Sequence, residues 1–235
     1  MRTLLASILV VAACGGGGDS PTGQQDAPVV APTMLKLSGT AAEITASGRT
    51  PVGGVALSLF KGADTTPIAT GASLADGTFS LTVTTDGTAV DGYLLAKKSG
   101  DKDTYLYPPA PLSADFNMAT VLLLTQSNFD LAATLAGATQ NPGDGFVGVL
   151  VVDAAGAAVA GATVTSSPSG MVRYNKNGLP AKAANATTTD TDGIAYIFGL
   201  TAGTVSIGAT KSGTTFHTHS LNARADQVTL TLVTP

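Results

Sequence analysis

The sequence predicts an all-β protein in which two tandem β-sandwiches, joined by a short helix, follow a disordered N-terminal tether. Hydrophobic residues make up 44% of the 235 residues, enough to build a core, whereas charged residues make up only 12%. Apolar and polar residues alternate in short runs separated by Gly and Asp, which is typical of half-buried strands joined by tight turns. The same order of sequence landmarks occurs twice, which predicts two copies of one fold.

The first fourteen residues predict export and lipid anchoring. Residues 1–13 begin with a basic residue, continue with an apolar run from Leu4 to Val11 and end in small residues, which is the order of a secretory signal peptide. The run is too short for a membrane-spanning helix, which needs about 20 apolar residues. The motif Val11-Ala12-Ala13-Cys14 resembles the bacterial lipobox, which implies that Cys14 carries lipid and begins the mature chain.

Residues 14–34 are rich in Gly, Ser, Pro, Gln and Asp, which predicts a disordered tether. About twenty flexible residues reach roughly 25 Å, enough to hold a folded body just clear of a membrane surface. Gly15 rather than Asp follows the cysteine, and by resemblance to the sorting rule of enteric bacteria this implies the outer membrane. We therefore expect an exported protein of the bacterial cell envelope that meets the membrane through lipidated Cys14. The alternative is an N-terminus without lipid.

The first sandwich is predicted to span residues 35–125. Between Val55 and Leu59 apolar side chains alternate with small or polar ones, so one face of this strand is buried and the other is solvent-exposed. Asp76-Gly77 is a strong turn signal, and it leads into a second alternating strand over 78–81. Short strands separated by such turns indicate a sandwich rather than a helical domain.

Residues 126–145 are predicted to be a helical linker between the sandwiches. The β pattern breaks from Ser127 to Gly137, where apolar side chains recur at helical spacing. Ser127 suits the N-cap of a helix and Gly137 suits its C-terminal stop. The turn-rich stretch from Asn141 to Gly145 is predicted to be a hinge.

The second sandwich is predicted to span residues 146–235 and to repeat the first. Four pairs of stretches match in the same order: 51–58 with 158–165, 76–81 with 192–197, 98–100 with 211–213, and 114–115 with 225–226. The second copy differs mainly by an insertion over 168–184. Because each copy has its own strand set, we expect 146–235 to fold without the preceding sequence.

Four stretches of the second copy resemble the carboxypeptidase regulatory-like module of the prealbumin (transthyretin-like) fold. They are Gly148 to Gly156, Val159 to Val164, Thr191 to Tyr196 and Leu200 to Val205. The resemblance implies two immunoglobulin-like or prealbumin-like sandwiches that serve as a scaffold rather than as a catalyst. Some related surface modules carry an isopeptide cross-link, for which Lys36, Asn117 and Glu43 are the available trio in the first copy.

Two groups of side chains are candidates for a binding surface. Tyr105 and Tyr107 are two residues apart on one predicted strand, so they are expected to share an exposed face. Arg173, Tyr174 and Asn177 occur in the insertion, which we expect to be an exposed loop. Exposed Tyr, Arg and Asn side chains suit a glycan or a partner protein of the envelope. The alternatives are packing at a strand edge and a hairpin that has no partner.

Catalytic, metal and nucleic-acid functions find no support in the sequence. It contains no Gly-x-Ser-x-Gly motif and only one cysteine, Cys14, so we predict no enzyme. His217 and His219 share a strand face, but two ligands are too few for a metal site. Residues 190–193 resemble the start of a calcium loop without its later glutamate, which favours a turn. The net charge of −4 excludes a strongly basic nucleic-acid surface, and we expect no cofactor.

Together these observations predict a non-enzymatic, lipid-anchored envelope protein that acts as a surface binding or structural module. The alternative is a carbohydrate-binding lipoprotein that assists a separate hydrolase or uptake system. The sequence has no tryptophan, the residue best suited to a flat sugar-binding platform, so any glycan would stack on tyrosine.

Overall fold

The computed structural model describes residues 31–45 and 48–235, and strands dominate it. The signal peptide, Cys14 and most of the tether lie outside the described residues. Residues 31–34, predicted to belong to the tether, are part of the fold, because Ala31 is buried and its N–H donates to the carbonyl of Gly87 (2.9 Å). The strands of the first half (residues 31–125) are β1 (Met34–Thr45), β2 (Gly48–Pro51), β3 (Ala56–Lys61), β4 (Ala69–Ala72), β5 (Thr78–Thr84), β6 (Gly92–Lys97), β7 (Thr104–Tyr107) and β8 (Phe116–Leu123).

The second half (residues 138–235) follows a helix, α1 (Gln126–Ala136). Its strands are β9 (Asp144–Val151), β10 (Thr163–Ser167), β11 (Met171–Lys176), β12 (Leu179–Ala181), β13 (Ile194–Thr201), β14 (Gly203–Lys211), β15 (Thr214–Thr215), β16 (His219–Ala223) and β17 (Val228–Val233). The described chain is thus all-β apart from α1, as the alternation of apolar residues predicts.

One pairing pattern occurs in both halves. In the first, β1 pairs antiparallel with β5 and parallel with β8, while β6 lies between β3 and β7. In the second, β9 pairs antiparallel with β13 and parallel with β17, while β14 lies between β10 and β16. The sequence repeat therefore corresponds to a repeated strand topology.

The repeat extends to individual hydroxyl groups. The Ser73 hydroxyl accepts a hydrogen bond from the Val55 N–H (3.0 Å) and donates to the carbonyl of Val52 (2.8 Å). In the second half, the Thr189 hydroxyl accepts from the Ala162 N–H (2.9 Å) and donates to the carbonyl of Val159 (2.6 Å). Both hydroxyls are buried, so each satisfies backbone groups that would otherwise lack partners.

The Asp-Gly turns of both halves require glycine for the same reason. Gly77 and Gly193 have φ values of +80° and +67°. A Cβ atom at Gly77 would meet the carbonyl oxygen of Ala41 at 2.5 Å, and one at Gly193 would meet that of Val151 at 2.6 Å. Both turns therefore need a positive φ and a close backbone approach, which only glycine supplies.

The two halves share one nine-stranded sheet, with strand order β12-β11-β13-β9-β17-β7-β6-β3-β4. The junction is a parallel pairing of β17 with β7, from Val228 opposite Thr104 to Thr231 opposite Tyr107. The sequence predicts a helix between the two sandwiches, and the structure adds this direct strand pairing between them. Pairing covers the strand edges that two separate halves would leave open, which gives the shared sheet its physical advantage.

Each half nevertheless contains its own apolar core. The first core includes Leu57, Phe79 and Val121, and the second includes Val149, Ile197 and Ile207. Leu230 of β17 packs against the first core and Tyr107 of β7 packs against the second, so each half contributes a side chain to the other.

Helix α1 forms close to the predicted place, but its N-cap differs. The cap is Thr125, whose hydroxyl accepts a hydrogen bond from the Asn128 N–H (3.3 Å), and not Ser127. Ser127 lies in the first turn, two residues too late to receive that N–H. Gly137 ends the helix in the left-handed conformation (φ 56°), as predicted. The helix buries Phe129, Ala133 and Ala136.

The insertion forms a hairpin of β11 and β12 rather than an irregular loop. Asn177-Gly178 is its two-residue turn, and both residues have positive φ (54° and 78°), as a type I′ hairpin requires. Strand β11 also pairs with β13, so the insertion widens the shared sheet. A type I′ Asn-Gly turn was the local signal that could have predicted this.

Candidate binding surfaces

Three strands of the first half carry a cluster of aromatic side chains, here called the aromatic surface. It consists of Phe60 on β3, Tyr93 on β6, and Tyr105 and Tyr107 on β7. The ring centroids of Phe60 and Tyr93 are 5.2 Å apart, and Tyr93 lies 5.6 Å from Tyr105 and 5.3 Å from Tyr107. Such separations are typical of attractive ring contacts. The structure thus brings Tyr105 and Tyr107 to one face, as predicted, but adds two rings.

Arg224, which follows β16 of the second half, covers part of the aromatic surface. Its guanidinium carbon lies 4.9 Å from the ring centroid of Tyr93 and 4.4 Å from that of Tyr105. Cation–π contacts of this kind contribute about 0.5–2 kcal/mol, depending on desolvation. The buried Nε of Arg224 has no hydrogen-bond partner among the described residues.

The tyrosines of β7 are half-buried rather than fully exposed. Burial raises the pKa of both Tyr105 and Tyr107, and the positive charge of Arg224 opposes the rise in each case. Both hydroxyls are therefore protonated at neutral pH and available as donors. Beside them, Lys97 and Asp103 form an ion pair of 2.6 Å. The surface combines the partly exposed rings of Phe60, Tyr105 and Tyr107, around the buried ring of Tyr93, with polar groups at its edge.

The three insertion residues do not form the predicted surface. Tyr174 is buried, and its hydroxyl oxygen accepts a hydrogen bond from the Val164 N–H (2.9 Å), so the expectation of an exposed tyrosine is wrong. Successive side chains of a strand point to opposite faces, and Tyr174 shares with Val172 the face of β11 that packs in the second core.

Of the other two insertion residues, Arg173 contacts the end of helix α1 and Asn177 lies in the hairpin turn. Arg173 donates from Nε to the carbonyl of Ala136 (2.9 Å), and from Nη2 to that of Gly137 (3.3 Å), at the end of α1. Asn177 is exposed in the hairpin turn, where its N–H donates to a carboxylate oxygen of Asp190 (2.9 Å). Arg173 is therefore a helix-capping residue. Asn177 lies at the other end of β11, where it forms the hairpin turn.

The motifs weighed for metal binding have structural partners. His219 Nδ1 lies 2.7 Å from the hydroxyl of Thr231. Asp192 accepts hydrogen bonds from the Asn175 side chain (2.7 Å) and from the Ile194 N–H (3.1 Å), as a turn-forming aspartate does. Within residues 31–45 and 48–235, no group of three or more His, Cys, Asp or Glu side chains is placed to hold a metal ion.

Of the trio considered for a cross-link, Lys36 and Asn117 lie on the paired strands β1 and β8, whereas Glu43 lies near the other end of β1. Lys36 is exposed, and its backbone N–H donates to Asp115 (2.8 Å). The amide oxygen of Asn117 accepts from the Ser38 hydroxyl (2.9 Å). Glu43 lies 3.8 Å from Lys98 in an ion pair.

A second candidate surface, absent from the sequence predictions, is an apolar cleft of about 240 Å³. It is lined by residues of β1, β2, β3, β6, β7 and β8 from the first half, of β9, β12, β13 and β17 from the second half, and of α1. Three lining leucines are solvent-exposed: Leu131 by 46%, Leu135 by 40% and Leu179 by 49%. Exposed leucines beside an apolar opening mark a place where an apolar ligand gains from burial.

One charged side chain, that of Arg49, lines this cleft among the described residues. Burial lowers the pKa of Arg49, and Tyr196 and Asp192 act in the opposite direction. Tyr196 is on the same cleft, and burial raises its pKa well above the ordinary range, so its hydroxyl is neutral. Sequence patterns gave no signal for this site because its walls come from strands far apart in the chain.

Comparison with solved structures finds bacterial pilins at low similarity. The shaft pilin SpaA from Lactobacillus rhamnosus GG is 14% identical, with 86% of this chain and 98% of that chain covered and a TM-score of 0.27. GBS52, the minor pilin of Streptococcus agalactiae, is 16% identical over 85% and 95% of the two chains, with a TM-score of 0.28. The major pilin subunit BcpA of Bacillus cereus, in a D312A variant, is 10% identical over 84% and 98%, with a TM-score of 0.29.

At such TM-scores the superpositions are too loose for a functional role to be carried across. No protein-family model matches the chain, and no curated protein matches it. Among the described residues, no helix has both the length and the apolar character needed to cross a bilayer.

Proposed function

We propose that this chain is a non-enzymatic protein of the bacterial cell envelope, anchored in the outer membrane through lipidated Cys14, that binds a partner through the aromatic surface. The arrangement of Tyr93, Tyr105 and Tyr107 around Arg224 is the observation that carries the proposal. Tyr and Arg are enriched where proteins bind one another, because each offers a large contact area together with a polar end.

The rigid backbone under the aromatic surface supports a binding role. Strands β3, β6 and β7 pair in register, and β7 is held on its other edge by β17. The rings are therefore fixed before a partner arrives, which lowers the entropy lost on binding. An envelope protein is the partner class we favour, since the ion pair of Lys97 with Asp103 adds polar groups at the edge.

A glycan is the second candidate partner. Tyr105 and Tyr107 are partly exposed on one strand, two residues apart, so successive sugar rings would meet successive aromatic rings.

Capture from envelope extract tests the aromatic surface. We expect full-length protein to retain a specific partner, and Tyr105→Ala to lose it while melting within a few degrees of wild type. Leu74→Ala is the matched control, since Leu74 is an exposed apolar side chain (65%) outside the aromatic surface. Retention by Tyr105→Ala equal to wild type would show that the partner binds elsewhere. Binding on a glycan array that depends on Tyr105 would favour the second candidate.

Membrane fractionation tests the anchor separately. Acyl chains on Cys14 bury methylene groups at about 0.8 kcal/mol each, and two or more chains give stable membrane binding. Cys14→Ser should therefore leave the protein unprocessed or release it from membranes. A Cys14→Ser variant that fractionates and migrates like wild type would overturn the lipid anchor without bearing on the aromatic surface.

A further inference from the structure

Two hydrogen-bond donors of Arg49 are buried in the apolar cleft without a partner. The atoms are Nε and Nη2, and neither donates to any described residue. These two nitrogens lie on one edge of the guanidinium group, the edge that binds both oxygens of a carboxylate in a bidentate pair. A buried donor without an acceptor is costly, and a buried unpaired charge more so, so an acceptor is expected at this position.

Asp192 and Tyr196 act on the charge of Arg49, but neither accepts a hydrogen bond from its Nε or Nη2. Both oxygens of Asp192 accept hydrogen bonds, one from Asn175 and one from the Ile194 N–H. Tyr196 is uncharged at neutral pH and cannot balance a cation. None of the ion pairs formed by described residues includes Arg49. Arg49 therefore keeps two donors without an acceptor, although the nearby negative charge of Asp192 favours its charged form.

The walls of the cleft are almost entirely apolar. Leu122 and Leu150, from opposite halves of the chain, line the cleft together with Phe146 and Leu232. The exposed leucines of α1 and β12 lie along the same lining. A ligand that fits must therefore join one anionic group to an apolar chain, since an inorganic anion would leave these walls without contacts.

We propose that the cleft binds a single-chain amphiphilic carboxylate of the fatty-acid class. The carboxylate accepts hydrogen bonds from Nε and Nη2 of Arg49, and the chain lies among the leucine side chains. This site is separate from the aromatic surface and does not depend on the proposed function. An acyl chain attached to Cys14 would lack the free carboxylate, so the assignment concerns a diffusible ligand.

The cleft volume limits the length of the chain. At about 240 Å³, the cleft is smaller than ordinary ligand pockets, which measure roughly 300–1,000 Å³. Medium-length chains are therefore expected to fit within the cleft, with longer ones extending past Leu131 and Leu135. Each methylene buried should strengthen binding about fourfold until the cleft is full.

Isothermal titration of full-length protein with decanoate and decan-1-ol tests the proposal. Wild type should bind one decanoate, and decan-1-ol at least tenfold more weakly because it cannot form the charged pair. Arg49→Gln should weaken decanoate binding at least tenfold, with decan-1-ol binding unchanged. The control is Lys211→Gln, which removes an exposed cation on β14 outside the cleft and should bind within twofold of wild type.

A second variant keeps the test independent of the folding of Arg49→Gln. Leu131→Glu places a negative charge at an exposed lining position on a helix, where it should be tolerated and should repel decanoate. No decanoate binding by wild type, or equal binding by wild type and Arg49→Gln, would overturn the proposal. So would a wild-type dimer that Leu131→Glu converts to monomer, because the cleft would then be an interface between copies.

Discussion

Individual side chains form hydrogen bonds between segments of this molecule that are far apart in sequence. Lys102 donates from Nζ to the carbonyl of Asp226 (2.7 Å), and the Asp103 N–H donates to the side chain of Gln227 (2.9 Å). Asn128 on α1 donates to the carbonyl of Ile44 on β1 (2.7 Å). Each of these bonds pairs a side chain with a backbone group, so a substitution affects the position of a strand or helix and not only a surface charge.

Tyr174 provides a direct test of the corrected role of the insertion. Tyr174→Phe keeps the ring in the second core but removes the acceptor for the buried Val164 N–H, which should lower the free energy of unfolding by about 1–3 kcal/mol. Urea denaturation measures the change. Asn177→Gly, in the exposed turn, should alter stability by less than about 0.5 kcal/mol. Equally small effects of both substitutions would show that the Tyr174 hydroxyl is not a buried hydrogen-bond acceptor.

His219 should make stability depend on pH. Burial lowers its pKa from 6.5, with Asp91 acting in the opposite direction. The unfolded chain therefore binds more protons than the folded one between the lowered pKa and 6.5, so stability should fall as pH decreases through that interval. The melting temperature, measured from pH 7 to pH 5, should therefore depend less on pH in His219→Gln than in wild type. If the melting temperature of His219→Gln depends on pH as strongly as that of wild type, the pH dependence arises from other groups.

Helix α1 and the β11–β12 hairpin depend on one another at their ends. Arg173 of β11 donates to carbonyl groups at the C-terminus of the helix, and Gly137 of the helix end lies near Lys182, which follows β12. Carbonyl groups in the last helical turn lack partners within the helix, and a cation is favoured there by the helix dipole. The insertion therefore supports the helix that joins the two halves, which explains its polar sequence without a ligand.

The choice between the predicted and observed N-caps is testable. Thr125→Ala removes the hydroxyl that accepts from the Asn128 N–H and should destabilise the protein by about 1 kcal/mol. Ser127→Ala should cost less than about 0.5 kcal/mol, since Ser127 is an exposed residue of the first turn. Paired chemical denaturation curves measure both. A larger cost at Ser127 would mean that the helix begins two residues later.

The whole molecule is organised around the shared sheet. Strand β17 pairs with β9 of its own half and with β7 of the other half. It is the last strand in the sequence but occupies the middle of the shared sheet. The second core is composed mainly of residues from its own half, apart from Tyr107. Separation of the halves would therefore expose a strand edge and Leu230 while leaving most of one core intact.

A fragment of residues 141–235 measures this dependence. It should show β-type circular dichroism and a cooperative melt, at a lower temperature than full-length protein, because its core is largely complete but β17 has lost β7. The open edge should also cause concentration-dependent association, and Leu230→Lys in the fragment should suppress it. Sedimentation velocity measures the association. A fragment without a cooperative melt would show that both halves fold as one unit.

Much of the fold followed from short-range patterns in the sequence. Alternation at Val55 to Leu59, the Asp-Gly turns and the stop at Gly137 are local, because each depends on the pleat of a strand or on a backbone angle within a few residues. The repeat followed from the recurrence of those signals. Export and lipidation likewise depend on a linear motif ending at Cys14, and they remain predictions.

Contacts between distant strands were decided only by the tertiary structure. The pairing of β7 with β17 joins residues more than 120 positions apart, and no local pattern specifies which open edge a strand will find. The same pairing sets Arg224 over Tyr105 and places Arg49 opposite strands of the other half. Alternation showed that Tyr105 and Tyr107 share a face, but their burial, and that of Tyr174, depends on what covers the face. The sequence by itself determined the strands and turns. The pairing of β7 with β17, which joins the edges of the two halves, determined both candidate binding surfaces.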